Sequence, residues 1–414
     1  MINYKTIIMN ILLQSWTWFP SGGDFTYVNS MENLYKNKGH NVIAFSSKDT
    51  KNIYTEYSDF FIEKFDTKSR NPFKLFKNIT SAGEKLEKLI LSNNIDVAHL
   101  NNLNHYLTNE FLRILKKYSI PTIITLHDFK FICSLTSLFR EGKICEECFG
   151  GKFYKCTVNK CKGGKLIPSV QSSIQNYYYN LKKIYDRINY FICPSDFIRN
   201  VFIKNGFDKN KLITINHFYD KSIIDDVNRI SHEPISTKQY ISYLGRIIVG
   251  KGIRTLVEAV AGLPEVNLIV IGYGTMLEEL KEFCELNKIR NIEFTGNKER
   301  IEALNIVKHS KFLVVPSTAY EVYPYTVIEG MLLGKPVIGS DFAAFPEVIE
   351  NNVNGFLFEP GSVSELKKII RNLYDDSESI NRLGSNALSE GVKFTDQDSY
   401  YEKVESVFRK LRLK

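Results

Sequence analysis

The sequence predicts an α/β protein made of two Rossmann-like, doubly wound domains facing a central cleft. Three observations predict it. Short, nearly continuous apolar runs alternate with helical stripes along both halves of the chain, as parallel strands buried on both faces require. Glycine-bearing loops follow several of these runs, at residues 22–23, 245–252 and 272–274, where open α/β sheets bind ligands. A polar stretch over 219–238 reads as the linker, so the domains are 1–218 and 239–394, with a closing helical segment over 395–414.

Composition supports a soluble chain of two or three domains: 414 residues, 43% hydrophobic and 24% charged. The net charge of +8, from 54 basic and 46 acidic residues, permits anionic substrates or an anionic lipid surface and gives no reason to expect nucleic acid. The apolar run at 7–13 is short, lacks a basic opening cluster and enters a Gly-Gly turn, so it reads as a first strand rather than a signal peptide. No apolar stretch approaches the roughly 20 residues of a membrane span. The expectation is a cytoplasmic protein whose membrane contact, if any, is peripheral and at the inner face.

In the first half, the strand at 7–13 leads through Gly22 and Gly23 to a helix with Tyr27, Met31, Leu34 and Tyr35 on one stripe. Residues 41–46 are a second strand, closing a βαβ unit whose Gly-rich turn could let backbone approach a phosphate. The stretch 64–77 mixes Lys64, Lys68, Arg70, Lys74 and Lys77 with Phe65, Phe73, Leu75 and Phe76. It fits a lipid-headgroup surface, or a solvated helix face whose aromatics enter the core. Strands follow at 95–100 and 121–126, and the latter ends in His127-Asp128. A histidine there suits either a reacting site or a structural strand end.

Five of the seven cysteines then cluster: Cys133, Cys145, Cys148, Cys156 and Cys161. The spacing of Cys145, Cys148, Cys156 and Cys161 suits a structural zinc knuckle ordering an insert over about 133–165; free thiols or redox chemistry are the alternatives. A Tyr-rich helix, a strand at 190–195, a helix capped by Ser195 and a strand at 211–216 complete this half.

The second half opens with a strand at 240–244 and a loop carrying Arg246 and Lys251. Arginine offers phosphate oxygens a planar fork, and lysine a compact charge. The 268–274 run lacks the full Gly-x-Gly-x-x-Gly pattern, which disfavours a dehydrogenase. Strands at 291–296 and 311–316 continue the sheet, the former ending near a nucleobase site. The two acids of Asp396-Gln-Asp398 sit in a polar junction far from any Gly-rich loop and are not read as a metal motif.

The stretch 321–339 decides the chemistry. Glu321 and Glu329 on one helix would be roughly 80° and about 12 Å apart, poor geometry for one small site. Pro324 resolves this by starting the helix after Glu321, which leaves Glu321 in a loop and Glu329 two turns inside. Between them the amides of Tyr325 and Thr326 form a helix N-terminus suited to phosphate. Acids flanking an anion site describe a ligand with hydroxyls on either side of phosphates, such as a nucleotide sugar.

The pattern Glu321, seven residues, Glu329, then Gly-Lys-Pro-Val-Ile at 334–338, Pro346-Glu-Val and Asn354-Gly-Phe resembles the donor-site signature of retaining glycosyltransferases of family 4 (glycosyl transferases group 1). Arg246 with Lys251, the Gly22-Gly23 loop and His127-Asp128 are similar to further parts of that family's pattern. The resemblance implies the GT-B fold, with a terminal helix crossing back to the first domain. It implies transfer of a sugar from a UDP- or GDP-linked donor with retained configuration and no catalytic metal. In that scheme Arg246, Lys251 and the Tyr325 and Thr326 amides hold the diphosphate, Glu329 the ribose, and Glu321 and His127 the transferred sugar. Gly22 and Gly23 face the cleft. The acceptor would be a glycan or lipid-linked glycan of surface polysaccharide synthesis. Tyr323-Pro324-Tyr325 stands where many relatives carry glycine, which bears on the identity of the donor sugar. The alternative is a degenerate GT-B subunit that binds a partner through its Cys-rich insert.

Overall fold

Strands rich in Val, Ile and Leu that are apolar on both faces must be covered on both faces, and helices linking parallel neighbours provide that cover. The computed structural model describes residues 8–20, 22–64, 72–103, 107–229 and 235–412. In chain order the first half contains β1 (Asn10–Gln14), α1 (Gly23–Asn37), β2 (Asn41–Phe45), α2 (Pro72–Asn93), β3 (Val97–Asn101), α3 (Thr108–Lys117) and β4 (Thr122–Thr125). An insert follows, with the hairpin β5 (Phe139–Arg140) and β6 (Lys143–Ile144), α4 (Tyr154–Val158) and α5 (Leu166–Leu181). Then come β7 (Tyr190–Cys193), α6 (Asp196–Lys204) and β8 (Leu212–Thr214).

After α7 (Ser222–Arg229), the second half runs β9 (Tyr240–Leu244), α8 (Ile253–Ala261), β10 (Asn267–Ile271), α9 (Leu277–Leu286), β11 (Ile292–Gly296), α10 (Arg300–His309) and β12 (Leu313–Val315). It continues with α11 (Tyr325–Leu332), β13 (Val337–Ser340), β14 (Gly355–Phe358), α12 (Val363–Tyr374), α13 (Ser377–Lys393) and α14 (Gln397–Arg412).

The two large sheets are parallel and have six strands each, in the orders β2-β1-β3-β4-β7-β8 and β11-β10-β9-β12-β13-β14. Both are doubly wound. The order reverses between β1 and β3 in the first sheet and between β9 and β12 in the second, which opens a crevice at the strands' carboxyl ends.

The expected linker contains α7, because Ile224 and Val227 fall on one face and bury against the second domain's core. The expectation attached to Lys64, Lys68, Arg70, Lys74 and Lys77 rests largely on residues 65–71, outside the described residues, and on helix side chains that are not described. Pro324 occupies the N-cap of α11 rather than its first turn. Among the described residues, no helix is long and apolar enough to cross a membrane.

The chain returns to the first domain at its end. Tyr400, Tyr401, Val404, Val407, Phe408 and Leu411 of α14 bury in one cluster with Met9, Ile11 and Tyr35. Polar contacts fix the register: Tyr400 and Tyr27 hydroxyls lie 2.7 Å apart, and His40 Nε2 lies 2.6 Å from the Tyr401 hydroxyl. A second tie between the halves uses the N-terminus of α6, where the Asp196 and Phe197 amides donate to Glu347 at 2.9 and 2.7 Å. A carboxylate there is favoured by the unpaired amides and by the helix dipole.

Because the Phe408 ring is buried against Tyr35, with centroids 5.9 Å apart, Phe408→Ala removes core from the first domain although it lies at the far end of the chain. The expected cost is about 3–5 kcal/mol, measured as a lowered urea midpoint. A midpoint equal to that of the wild type would show that α14 adds little to the first domain's stability.

Candidate active site in the interdomain cleft

The loops after β9 and β12 meet because those strands are neighbours. The Thr318 and Ala319 amides both donate to the Gly250 carbonyl, at 3.0 and 2.9 Å. Gly252 has φ +64°, and a Cβ there would sit 1.7 Å from the Pro316 carbonyl oxygen, so the approach admits only glycine. This contact delivers Lys251 to Glu321. Their Nζ and Oε1 lie 2.5 Å apart, and Ser317 Oγ donates to the same carboxylate oxygen at 2.7 Å. Arg246, on the same loop, is exposed to the cleft and has no side-chain partner among the described residues.

Glu329 is buried inside α11. Its Oε1 accepts from the Tyr219 hydroxyl at 2.9 Å and pairs with Arg300. Its Oε2 is buried with no hydrogen-bond partner among the described residues. A buried carboxylate oxygen left open in this way suits a hydroxyl donor from a ligand. At the start of α11, the Tyr325 amide bonds to the Tyr323 carbonyl at 3.1 Å. Tyr325 and Thr326 both line the cleft.

The first domain supplies the opposite wall. Gly22, at φ +134°, caps α1, and a Cβ on Gly23 would touch the Tyr325 ring at 3.4 Å. His127 follows β4 and its side chain is 5% exposed. Its Nε2 lies 2.9 Å from Asn101 Oδ1 and so donates to it, while Nδ1 faces Asp24 at 3.8 Å. His217 lies beside it, with ring centroids 5.5 Å apart, and Tyr27 packs on both rings. Beneath them His99 bonds to the Tyr35 hydroxyl at 2.8 Å and to Thr125 Oγ1 at 2.7 Å. Burial pushes all three imidazoles toward the neutral form: His99 to about 3, His217 well below its ordinary value, and His127 below it against the opposing pull of Asp24.

The structure thus brings Gly22, Gly23, His127, Arg246, Lys251, Glu321, Tyr325, Thr326 and Glu329 to one cleft of about 3170 Å³, lined from both domains. The ends of β10 and β11 reach the same cleft through Gly272, Tyr273 and Asn297. Sequence reasoning missed Arg300, Ser317, Tyr219, Asn101 and Asp24. Only Ser317, four residues before Glu321, carried a positional hint.

The cysteine expectation fares differently. All seven cysteines are free thiols. Among the described residues, no group of three or more His, Cys, Asp or Glu side chains is placed to hold a metal ion. The expected zinc set of Cys145, Cys148, Cys156 and Cys161 is therefore not assembled in this structure. The five thiols of the insert nevertheless share one neighbourhood. Burial, then the nearby Cys133, Cys156, Cys161 and Cys145, pushes Cys148 up to about 12. Cys156 is fully buried with its thiol 3.7 Å from the Ser169 carbonyl, an acceptor of its own. The insert reaches the loops after β9 and β12 directly: Glu146 accepts from the Tyr320 hydroxyl at 2.9 Å, and Phe139 packs against Gly250.

Comparison with known proteins agrees with this architecture. Residues 21–222 match the model of the family described as Glycosyltransferase Family 4, and residues 225–390 that of Glycosyl transferases group 1. An uncharacterized glycosyltransferase of Methanocaldococcus jannaschii is 24% identical over 392 residues, covering 94% of this chain and 95% of its own. Among solved structures, the sucrose-phosphate synthase of Thermosynechococcus elongatus superposes with a TM-score of 0.71 at 18% identity, covering 98% of this chain and 99% of its own. An Anabaena protein solved with UDP and glucose gives 0.65 at 15% identity, covering 97% and 99%. At these identities the structural likenesses show the shared GT-B fold.

The neutral histidines set a pH dependence. Each folded pKa lies below the unfolded value of about 6.5, so the unfolded state binds more protons in acid. Their stabilising contribution is full above about pH 6.5 and is lost as pH falls below it, by about 1.4 kcal/mol per pH unit per histidine. For His99 the loss continues down to about 3. In denaturation series at falling pH, His99→Gln should flatten the slope by about that amount. An unchanged slope would mean that His99 is protonated in the folded protein.

Proposed function

Because the chain belongs to the family 4, group 1 glycosyltransferases of GT-B fold, we propose that it transfers a sugar from a nucleotide-sugar donor to an acceptor hydroxyl with retention of anomeric configuration. The observation that carries this reading is the Lys251–Glu321 pair at the strand-order reversal, with Arg246 beside it and the open Glu329 oxygen deeper in the same cleft.

Departure of the nucleoside diphosphate is the demanding step, because negative charge develops on the β-phosphate. Arg246, Lys251 and the N-terminus of α11 at Tyr325 and Thr326 are the groups that would stabilise it, and they cost no reorganisation when held in advance. That positive charge replaces a divalent ion in the proposed scheme. Glu329 Oε2 accepts from a ribose hydroxyl, and Glu321 from a hydroxyl of the transferred sugar. His127 contacts that sugar from the opposite domain, Gly22 and Gly23 leave room for it, and Gly272, Tyr273 and Asn297 flank the base. The acceptor oxygen attacks from the face that the diphosphate leaves. The C1–O bond to phosphate breaks, the new C1–O bond forms, and the departing phosphate oxygen takes the acceptor proton.

The donor is UDP- or GDP-linked; the UDP and glucose of the Anabaena neighbour support the former. The acceptor is a glycan or lipid-linked glycan of surface polysaccharide synthesis. A degenerate subunit is disfavoured, since Arg246, Lys251, Glu321 and Glu329 all remain in the cleft.

Purified protein assayed against UDP- and GDP-sugars tests the reading. Arg246→Ala and Lys251→Ala should each lower transfer about 10- to 100-fold, the loss of one charge-assisted phosphate contact of about 1.5–3 kcal/mol. Wild-type kinetics in both folded variants would overturn the assignment. Activity should also persist in a chelator, and a strict Mg²⁺ or Mn²⁺ requirement would overturn the metal-free scheme.

A further inference from the structure

Helix α5 is inverted relative to a helix that packs on a water-soluble core. Its inward face is polar. Ser169, Ser173 and Asn176 are buried, and Tyr179 is the one aromatic that joins them there and enters the first domain's core. Ser173 Oγ donates to the Phe153 carbonyl at 2.7 Å and lies 2.8 Å from Thr157 Oγ1. Ser169 Oγ donates to the Lys165 carbonyl at 2.7 Å, and Asn176 Nδ2 donates to Ser134 Oγ at 2.9 Å. The outward face is apolar. Leu166, Ile167, Ile174, Tyr177, Tyr178 and Leu181 are 53%, 71%, 63%, 37%, 46% and 81% exposed. At 100° per residue these six side chains fall within one arc of about 120°. Folding gains nothing from leaving such a stripe in water; it is the side that a further apolar phase would cover.

The charge around the stripe says which phase. Residues 151–183 contain seven lysines, from Lys152 to Lys183, and no Asp, Glu or Arg. A second copy of this chain would set two such cationic patches face to face, which repel. An anionic surface complements them. Lysines flanking an apolar helix face, with tyrosines along it, are the chemistry of a helix lying in the plane of a membrane interface. We propose that α5 and its flanking lysines dock the protein on a bilayer surface carrying anionic lipids. The docking face runs into the rim of the cleft, because Leu166, Ile167, Ile174 and Tyr178 of the stripe also line it, and Tyr177 and Leu181 lie outside it. A substrate held in the membrane would therefore meet the cleft at its first-domain side. The docking itself does not depend on the sugar-transfer reading.

The test is co-sedimentation of the full chain with phosphatidylcholine vesicles, with and without phosphatidylglycerol, alongside nucleotide-sugar hydrolysis in solution. The wild type should bind vesicles that contain phosphatidylglycerol, and binding should weaken as salt is raised. The double variant Ile174→Glu/Leu181→Glu should bind about tenfold more weakly or worse, with circular dichroism unchanged. Lys182→Glu/Lys183→Glu, which leaves the apolar stripe intact, should weaken binding only to the anionic vesicles. The proposal is overturned if the wild type ignores phosphatidylglycerol or if both double variants bind like the wild type. It is also overturned if the stripe instead drives self-association that Ile174→Glu/Leu181→Glu abolishes. Loss of hydrolysis with vesicle binding intact would count against the transferase reading and leave docking standing.

Discussion

The Lys251–Glu321 ion pair depends on strand order. The two residues are 70 positions apart, and they meet because β9 and β12 are adjacent where the second sheet reverses. Gly252 lets the loops close to backbone contact, and Gly250 ties them with two hydrogen bonds. The pair is itself only partly exposed, 27% and 18%. Desolvation of such a pair offsets much of its attraction, so it is a poor source of stability. Its value lies in position. In the proposed scheme each charge is held where a diphosphate and a sugar hydroxyl would arrive, and removing Lys251 leaves Glu321 only its bond from Ser317.

The wall opposite is arranged by the reverse logic. The second domain presents Arg246, Lys251 and Glu321 to the cleft, whereas the first presents His127 and His217, kept neutral by burial, beside Asp24. With Nε2 donating to Asn101, neutral His127 keeps Nδ1 as an acceptor. A cation there would compete with Arg246 and Lys251 for the leaving phosphate; a neutral acceptor can orient a sugar hydroxyl without doing so. Tyr27 links this wall to the end of the chain, because its ring packs on His127 and its hydroxyl meets that of Tyr400 on α14. The terminal helix thereby supports the residue that supports the histidine.

How much of this was legible in the sequence follows from what sequence patterns encode. Strands buried on both faces announce themselves as apolar runs, so both sheets could be read from residues such as those of β4 and β10. Pro324 gave the break that separates Glu321 from Glu329. Partners contributed from elsewhere in the fold were silent: Arg300, Tyr219 and Asn101 lie in unremarkable surroundings and acquire meaning only through Glu329 and His127. Cysteine spacing announced a cluster, and Cys133, Cys145, Cys156 and Cys161 all lie near Cys148, although among the described residues no group of three or more is placed to hold a metal ion. Helix α5 was legible as a helix with tyrosines, but periodicity alone cannot tell which face a helix buries. The hydrogen bonds of Ser169, Ser173 and Asn176 decided that.

The insert both touches the cleft and carries the exposed face of α5. Its hairpin packs Phe139 against Gly250 of the cationic loop, and its Glu146 accepts from the hydroxyl of Tyr320, the residue before Glu321. The same segment continues into α4 and α5, whose shared polar seam binds Thr157 and the Phe153 carbonyl to Ser173. A single stretch of chain therefore touches the loops after β9 and β12 at one end and presents the lysine-rich apolar face at the other. Side chains in this seam are hydrogen-bonded rather than greasy, and such bonds are directional where apolar packing is not. The direction in which α5 faces is thus set by the seam.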